Sequence, residues 1–212
     1  PEKVGRMVLD SATDFSASLE QMLHGQPPAR QRLFDEVLAP YAARHPGYFR
    51  LGATEAEVRA VMPRLAPQVQ AVLAEALTGL NYNRSSAIEY LGHIAAAQGL
   101  DEVLLRVPDA ADDKAVHGAL ALYPFAPGDE SQDTQLRETA WKLYGNYQRT
   151  WLRPEAQSIR LDNAAGIAVR CNDTPATTDP AQWITKVRAM AQQAPMHFGG
   201  LLNIDACAFW EG

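Results

Sequence analysis

Five histidines, two cysteines and a scatter of carboxylates are the side chains of this sequence that could do chemistry, and their spacing limits what they can do. His24, His45, His93, His117 and His197 stand alone: none sits beside a serine or cysteine in a nucleophile pattern, and neither HExxH nor CxxC occurs. Metal ligands must converge on one ion, and a base must reach the group it deprotonates, so both chemistries need such spacing. No metal site is read. Asp10 is the best-placed acid, because it directly follows a short apolar run of Val4 and Met7 to Leu9. A run of that kind reads as a strand buried on both faces inside a parallel sheet, and ligands gather at the carboxyl ends of such strands. Asp10 is therefore a candidate cleft acid, although the polar turn from Asp10 to Thr13 accounts for an aspartate there as well.

A second candidate surface is aromatic. Trp141, Tyr144, Tyr147 and Trp151 recur at three- and four-residue spacing and so share one face of a helix. They would form either a substrate-lining wall or an ordinary helix-packing core. The acidic runs from Asp109 to Asp113 and from Asp129 to Asp133 read as solvated loops.

The chain that must position these groups has 212 residues, 47% of them hydrophobic, enough for one large domain or two small ones with a real core. Nineteen basic residues stand against 25 acidic ones, a net charge of −6, and no Lys/Arg block occurs. Nucleic-acid binding is therefore not expected. No apolar stretch reaches the roughly 18 residues of a membrane-spanning helix, and no secretory leader opens the sequence.

Between the first apolar run and the last fifty residues the pattern is almost wholly helical. Phe15 to Leu23 is amphipathic and should end at Gly25 and Pro27-Pro28. Ala29 to Arg44 follows, with Leu33, Phe34, Val37, Leu38 and Tyr41 on one face, until Pro46-Gly47. Thr54 with Glu57 predicts a capping box, on a helix interrupted near Pro63; Pro67 begins the next, up to Leu77, with Gly79 at its exit. Ser85 or Ser86 caps a helix through Ala97 that Gly99 closes, and Asp133 to Trp151 runs until Pro154. The ending changes character. "GIAVRC" reads as a strand, Asp179-Pro180 starts a helix to about Gln193, and Gly199-Gly200 leads into "LLNIDACAFWEG". A two-sided strand, a helical insert and a return to strand and helix is the pattern of a core sheet interrupted by a lid.

These phrases, in this order, resemble one family. "PEKVGRMVLDSATDF" is similar to the core strand after the nucleophile helix of α/β-hydrolases. "FDEVLAPYAARHPGYFRLGAT" and "SSAIEYLGHIAAAQGLDEVLL" resemble cap segments of the tripeptidyl aminopeptidase branch, related to proline iminopeptidases, and "IAVRCNDTP" with "CAFWEG" resembles its paired cysteine motifs. The resemblance implies an α/β fold that is mostly α-helical in this chain, a helical cap flanked by short core strands. Residues 1–15 would be core strand and exit loop, 16–160 the cap, and 161–212 the strand, helix and return segment.

The function implied is hydrolysis of a peptide or ester by a serine nucleophile, with no cofactor. The Gly-x-Ser-x-Gly elbow that exposes such a serine is absent here. In the family the elbow lies upstream of the position matching Pro1, and the catalytic acid and histidine lie downstream of that matching Gly212. The chain thus resembles the middle of such an enzyme and would be silent alone. In the aminopeptidases that it resembles, cap carboxylates receive the free α-amine of the peptide, which makes Glu89 or Glu138 conceivable partners. The resemblance also implies a Cys171–Cys207 disulfide, worth about 4 kcal/mol for a loop of that length. That bond would imply a secreted or periplasmic location, whereas two buried reduced thiols would fit the cytoplasm. Further cysteines that this branch often carries around "YAARHPGYFRLG" are missing. The partners implied are a peptide-like substrate and a complementing hydrolase core. A different reading is a stand-alone helical binding or assembly module, a homodimer through open strand edges.

Overall fold

Helix starts in this chain are set by side chains that satisfy the first free N–H groups. Ser18 opens α1 (Leu19–Leu33) with a capping box, its hydroxyl accepting from Gln21 N at 3.2 Å while Gln21 Oε1 accepts from Ser18 N at 2.8 Å. The computed structural model describes residues 18–78, 80, 84–153, 172 and 177–196, and 79% of the interpretable chain is helical with no strand among those residues. The stretches read as strands, before Asp10 and from Ile167 to Cys171, lie outside the described residues, as do Asp10, Cys171 and Cys207.

Helix α1 corrects the first sequence expectation, because it runs through Gly25 and Pro27-Pro28 instead of ending there. Two prolines inside a helix remove two backbone bonds and cost several kcal/mol in isolation. Here the helix is gripped on both sides of them. Toward its start Thr177 N donates to Glu20 Oε2 at 2.7 Å, and toward its end Met196 N donates to Gln31 Oε1 at 3.1 Å. Tertiary anchoring overrides the breakers.

A π-helical turn, Phe34–Leu38, joins α1 to α2 (Ala39–Arg44), with Ala39 N bonded to Phe34 O. The extra residue in that turn rotates the face that follows. Phe34, Leu38, Ala39 and Ala42 are buried, while Leu33, Val37 and Tyr41, expected on the apolar face, are exposed. The helix ends at Arg44, as expected ahead of Pro46-Gly47; Pro46 then begins the short α3 (Pro46–Phe49) after a break at His45, and Arg50 closes it in the left-handed region at φ 57°.

Thr54 and Glu57 form the predicted capping box at α4 (Glu55–Arg59); the interruption expected near Pro63 comes at Ala60, and Pro63 itself lies inside α5 (Val61–Arg64). Helix α6 (Pro67–Thr78) starts at the predicted proline. Asp101 from another helix reaches its start, accepting from Ala66 N at 3.0 Å. Burial holds that carboxyl above the usual carboxylate range despite the bond.

Helix α7 (Arg84–Arg106) is the central element, packed against α6, α8 (Asp113–Leu122) and α9 (Glu130–Tyr147). Gly99 does not close it. A β-carbon there would lie 2.3 Å from Phe125 Cε1 and 2.8 Å from Tyr123 Cε1, so the glycine lets the aromatic pair press against the helix. The first acidic run is the loop expected, mostly exposed through Asp112, which ends it by capping α8 with a bond from Ala115 N at 3.0 Å; the second is a helix start instead, with Asp129 capping α9 by accepting from Gln132 N at 3.0 Å. A second π-helical turn, Gln148–Leu152, follows α9, and α10 (Pro180–Gln193) begins at the predicted Asp179-Pro180. Leu73, Leu77, Leu91, Ile94, Leu100, Leu120 and Leu143 are fully buried where these helices meet. No helix among the described residues is long and apolar enough to cross a membrane.

Candidate functional site

A groove of about 550 Å³ lies between α7 and α9, with Tyr48 and Phe49 of α3 in its lining. The local sequence explains its shape. Gly92 on α7 has only Leu136 Cδ2 of α9 near its missing side chain, at 3.6 Å, so the floor stays low. Tyr48 and Phe49 reach the groove because Pro46 restarts the helix after His45, and Gln132 of α9 ties α3 down by donating Nε2–H to Tyr48 O at 2.8 Å. Phe49 is buried beneath, edge-on to Tyr48 at 4.8 Å between ring centres, while Tyr48 and Ile88 stay exposed at the rim.

Charge enters as two pairs at helical spacing. Glu89 and His93 lie one turn apart on α7, and Glu138 and Lys142 one turn apart on α9; all four line the groove. Among the described residues neither carboxylate has a hydrogen-bond or ion-pair partner. The groove therefore offers two acceptor-only anions beside apolar surface, which suits an organic cation with an apolar body. Thr139, also in the lining, spends its hydroxyl proton on Gln135 O at 2.9 Å, and the lining holds no serine or cysteine.

The aromatic stripe lies elsewhere. Tyr144 is fully buried against α8, its hydroxyl donating to Ala110 O at 2.9 Å and reaching Asp113 Oδ1 at 3.3 Å. Burial first, and then the Asp113 carboxylate, push its phenol up to about 12. Asp113 also receives Gln148 Nε2 and, at 3.1 Å, the Arg153 guanidinium, so it locks the end of α9 to the start of α8. Trp141 leans on the His117 ring at 5.4 Å and Tyr147 stacks on Tyr144 at 6.4 Å, while Trp141 and Trp151 remain part-exposed. None of the four lines the groove.

A third feature joins the ends of the helical body. Glu20, 9% exposed, accepts from Thr177 N, from the Thr177 hydroxyl at 3.0 Å and from the Lys186 ammonium of α10. Burial alone would raise its carboxyl, but the Lys186 and Thr177 donors outweigh that and hold it below the usual carboxylate range. No trio of His, Cys, Asp or Glu among the described residues is arranged to hold a metal ion.

Sequence reasoning named Glu89 and Glu138 but not what surrounds them. Tyr48 and Lys142 went unremarked, and His93 was one lone histidine among five. The signal that would have found His93 and Lys142 is the i, i+4 spacing from each carboxylate. No protein-family model, curated protein or solved structure matches this chain.

Proposed function

We propose that this chain is the cap-bearing part of a serine hydrolase similar to tripeptidyl and prolyl aminopeptidases, and that its helical body receives the amino end of a peptide. The groove with Glu89 and Glu138 carries this reading, because two unpartnered carboxylates beside an apolar wall match an ammonium group followed by a peptide chain. The meeting of Glu20 with Thr177 supports an insert whose two ends return to one place, as a lid set into a core sheet requires. On this reading short α/β core strands flank the helices, within 1–15 and 161–212. A serine on the hydrolase core attacks the scissile carbonyl, and water then releases the acyl group. That core is either continuous with this chain or a complementing partner, and the reaction needs no cofactor.

Calorimetric titration of the chain with tri-alanine amide tests the reading. Binding is expected, weakened about tenfold or more in Glu89→Gln/Glu138→Gln, since each charge-assisted bond contributes about 1.5–3 kcal/mol. N-acetylated tri-alanine amide should not bind. Equal affinity for the two peptides, or an unaffected double variant, would overturn it. A dimeric solution mass without amine binding would instead favour the stand-alone assembly module.

A further inference from the structure

We infer that α10 is a releasable splint on α1. Docked, it holds α1 straight across Pro27-Pro28; when it lifts, the two helices open together and α1 bends at the prolines, while the rest of the helical body stays folded. A helix of 15 residues is marginal by itself, and α1 also lacks the two backbone bonds that proline cannot donate. Its straightness has to come from outside. Thr177 N, just ahead of α10, donates to Glu20 at 2.7 Å, and Met196 N, just past its end, donates to Gln31 at 3.1 Å. Glu20 and Gln31 stand about 16 Å apart along the helix axis, and both prolines fall between them. At 14 residues, about 21 Å, α10 is long enough to bridge that span, and it runs parallel to α1 across the weak point.

The same contacts make the splint removable. A single stripe holds it: Trp183 and Ala194 are buried, Val187 and Met190 half-buried, and most other side chains of α10 are exposed. Among the described helices α10 packs chiefly on α1, whereas α7 packs against α6, α8 and α9 and fully buries Leu91, Ile94 and Leu100. An element with so few apolar contacts opens well before a core of that kind. Both clasps are polar, so water can take the place of each donor. Gln31 also carries docking inward: its Oε1 accepts from Met196 N while its Nε2 donates to Asp35 of the π-helical turn at 3.3 Å, and Asp35 pairs with Arg59 of α4 at 3.8 Å. Lifting α10 therefore loosens the joint at which α1 enters the body, and the bend at Pro27-Pro28 turns that entry as a hinge does.

The test is hydrogen exchange of the full chain, read by mass spectrometry over residues 19–33, 180–193 and 90–103. It compares wild type, Thr177→Ser, Thr177→Val/Lys186→Met, and that double variant with Pro27→Ala/Pro28→Ala added. In wild type α1 and α10 should exchange together and ahead of α7. Thr177→Ser keeps the hydroxyl and should match wild type. Thr177→Val/Lys186→Met removes the hydroxyl and ammonium donors to the Glu20 carboxylate and should speed both helices about tenfold or more, with α7 unchanged. Adding Pro27→Ala/Pro28→Ala restores two N–H donors within α1, which should regain its protection while α10 stays fast. If α1 ignores the clasp variant, or stays fast once both prolines are replaced, the splint is overturned. If α7 exchanges as fast as α1 and α10 in wild type, they are no separate unit and the inference falls without any variant.

Discussion

Two helical glycines should respond in opposite directions to the same added methyl group. Alanine in place of glycine inside a helix is favourable by roughly 0.5–1 kcal/mol when nothing else changes. Gly118 in α8 meets that condition, since a β-carbon there has no atom within 4 Å. Gly118→Ala should therefore raise stability by that amount, which for a chain of this size is about 1–4 °C in Tm. Gly99 in α7 does not. Its β-carbon would fall 2.3 Å and 2.9 Å from two atoms of the Phe125 ring and 2.8 Å from Tyr123, and both rings are rigid bodies pressed on a buried helix. Overpacking of that kind costs about 1–3 kcal/mol, and the severity of the clash puts this case in the upper range. Subtracting the helix-propensity gain leaves a net loss of about 1–2 kcal/mol, or roughly 2–8 °C. Thermal melts of wild type and both variants, followed by circular dichroism with urea titrations beside them, read the two signs directly. If Gly99→Ala melts at or above wild type, the packing of the Tyr123–Phe125 pair onto α7 is wrong.

Two further outcomes follow from the buried polar groups. Because Glu20 is held below its ordinary range, its contribution to stability is present above the unfolded-state value and is lost as pH falls through the folded one. Glu20→Gln should thus be less stable than wild type at neutral pH, with the gap narrowing as pH falls below the ordinary carboxylate range; urea titrations showing the same gap at neutral and acid pH would contradict this. Tyr144→Phe should cost about 0.5–1.5 kcal/mol through the lost bonds to Ala110 and Asp113. In alkaline absorbance titration two tyrosines of wild type, Tyr123 and Tyr144, should ionise only at about 12, and the variant should keep one of them.

The parts of the fold that were legible in the sequence are those decided within four residues. Thr54 with Glu57, Pro67, and Asp179-Pro180 each satisfy or remove helix N–H groups locally, and each helix begins where its residues require. The misread punctuation depends on distant atoms. Gly99 looks like a helix stop until Phe125 is placed beside it, and Pro27-Pro28 like a break until Gln31 meets Met196. The aspartates of the acidic runs were ambiguous for a different reason, since the same side chain serves a turn or a helix cap, and only the apolar residues after Asp112 distinguish them. For the groove, Glu89 and Glu138 could be named separately. That both line one groove could not be read, because it depends on the packing of α7 against α9.

The clasp on α1 also sets an order of events during synthesis. Glu20 must wait for Thr177, which emerges 157 residues later; at ribosomal rates of 5–20 residues per second that is about 8–30 s. Over that interval a helix carrying two internal prolines lacks its contacts with Thr177 and Met196. Of the described helices, the first is thus completed last, and the helical body is sealed only when α10 folds back onto the place where α1 began.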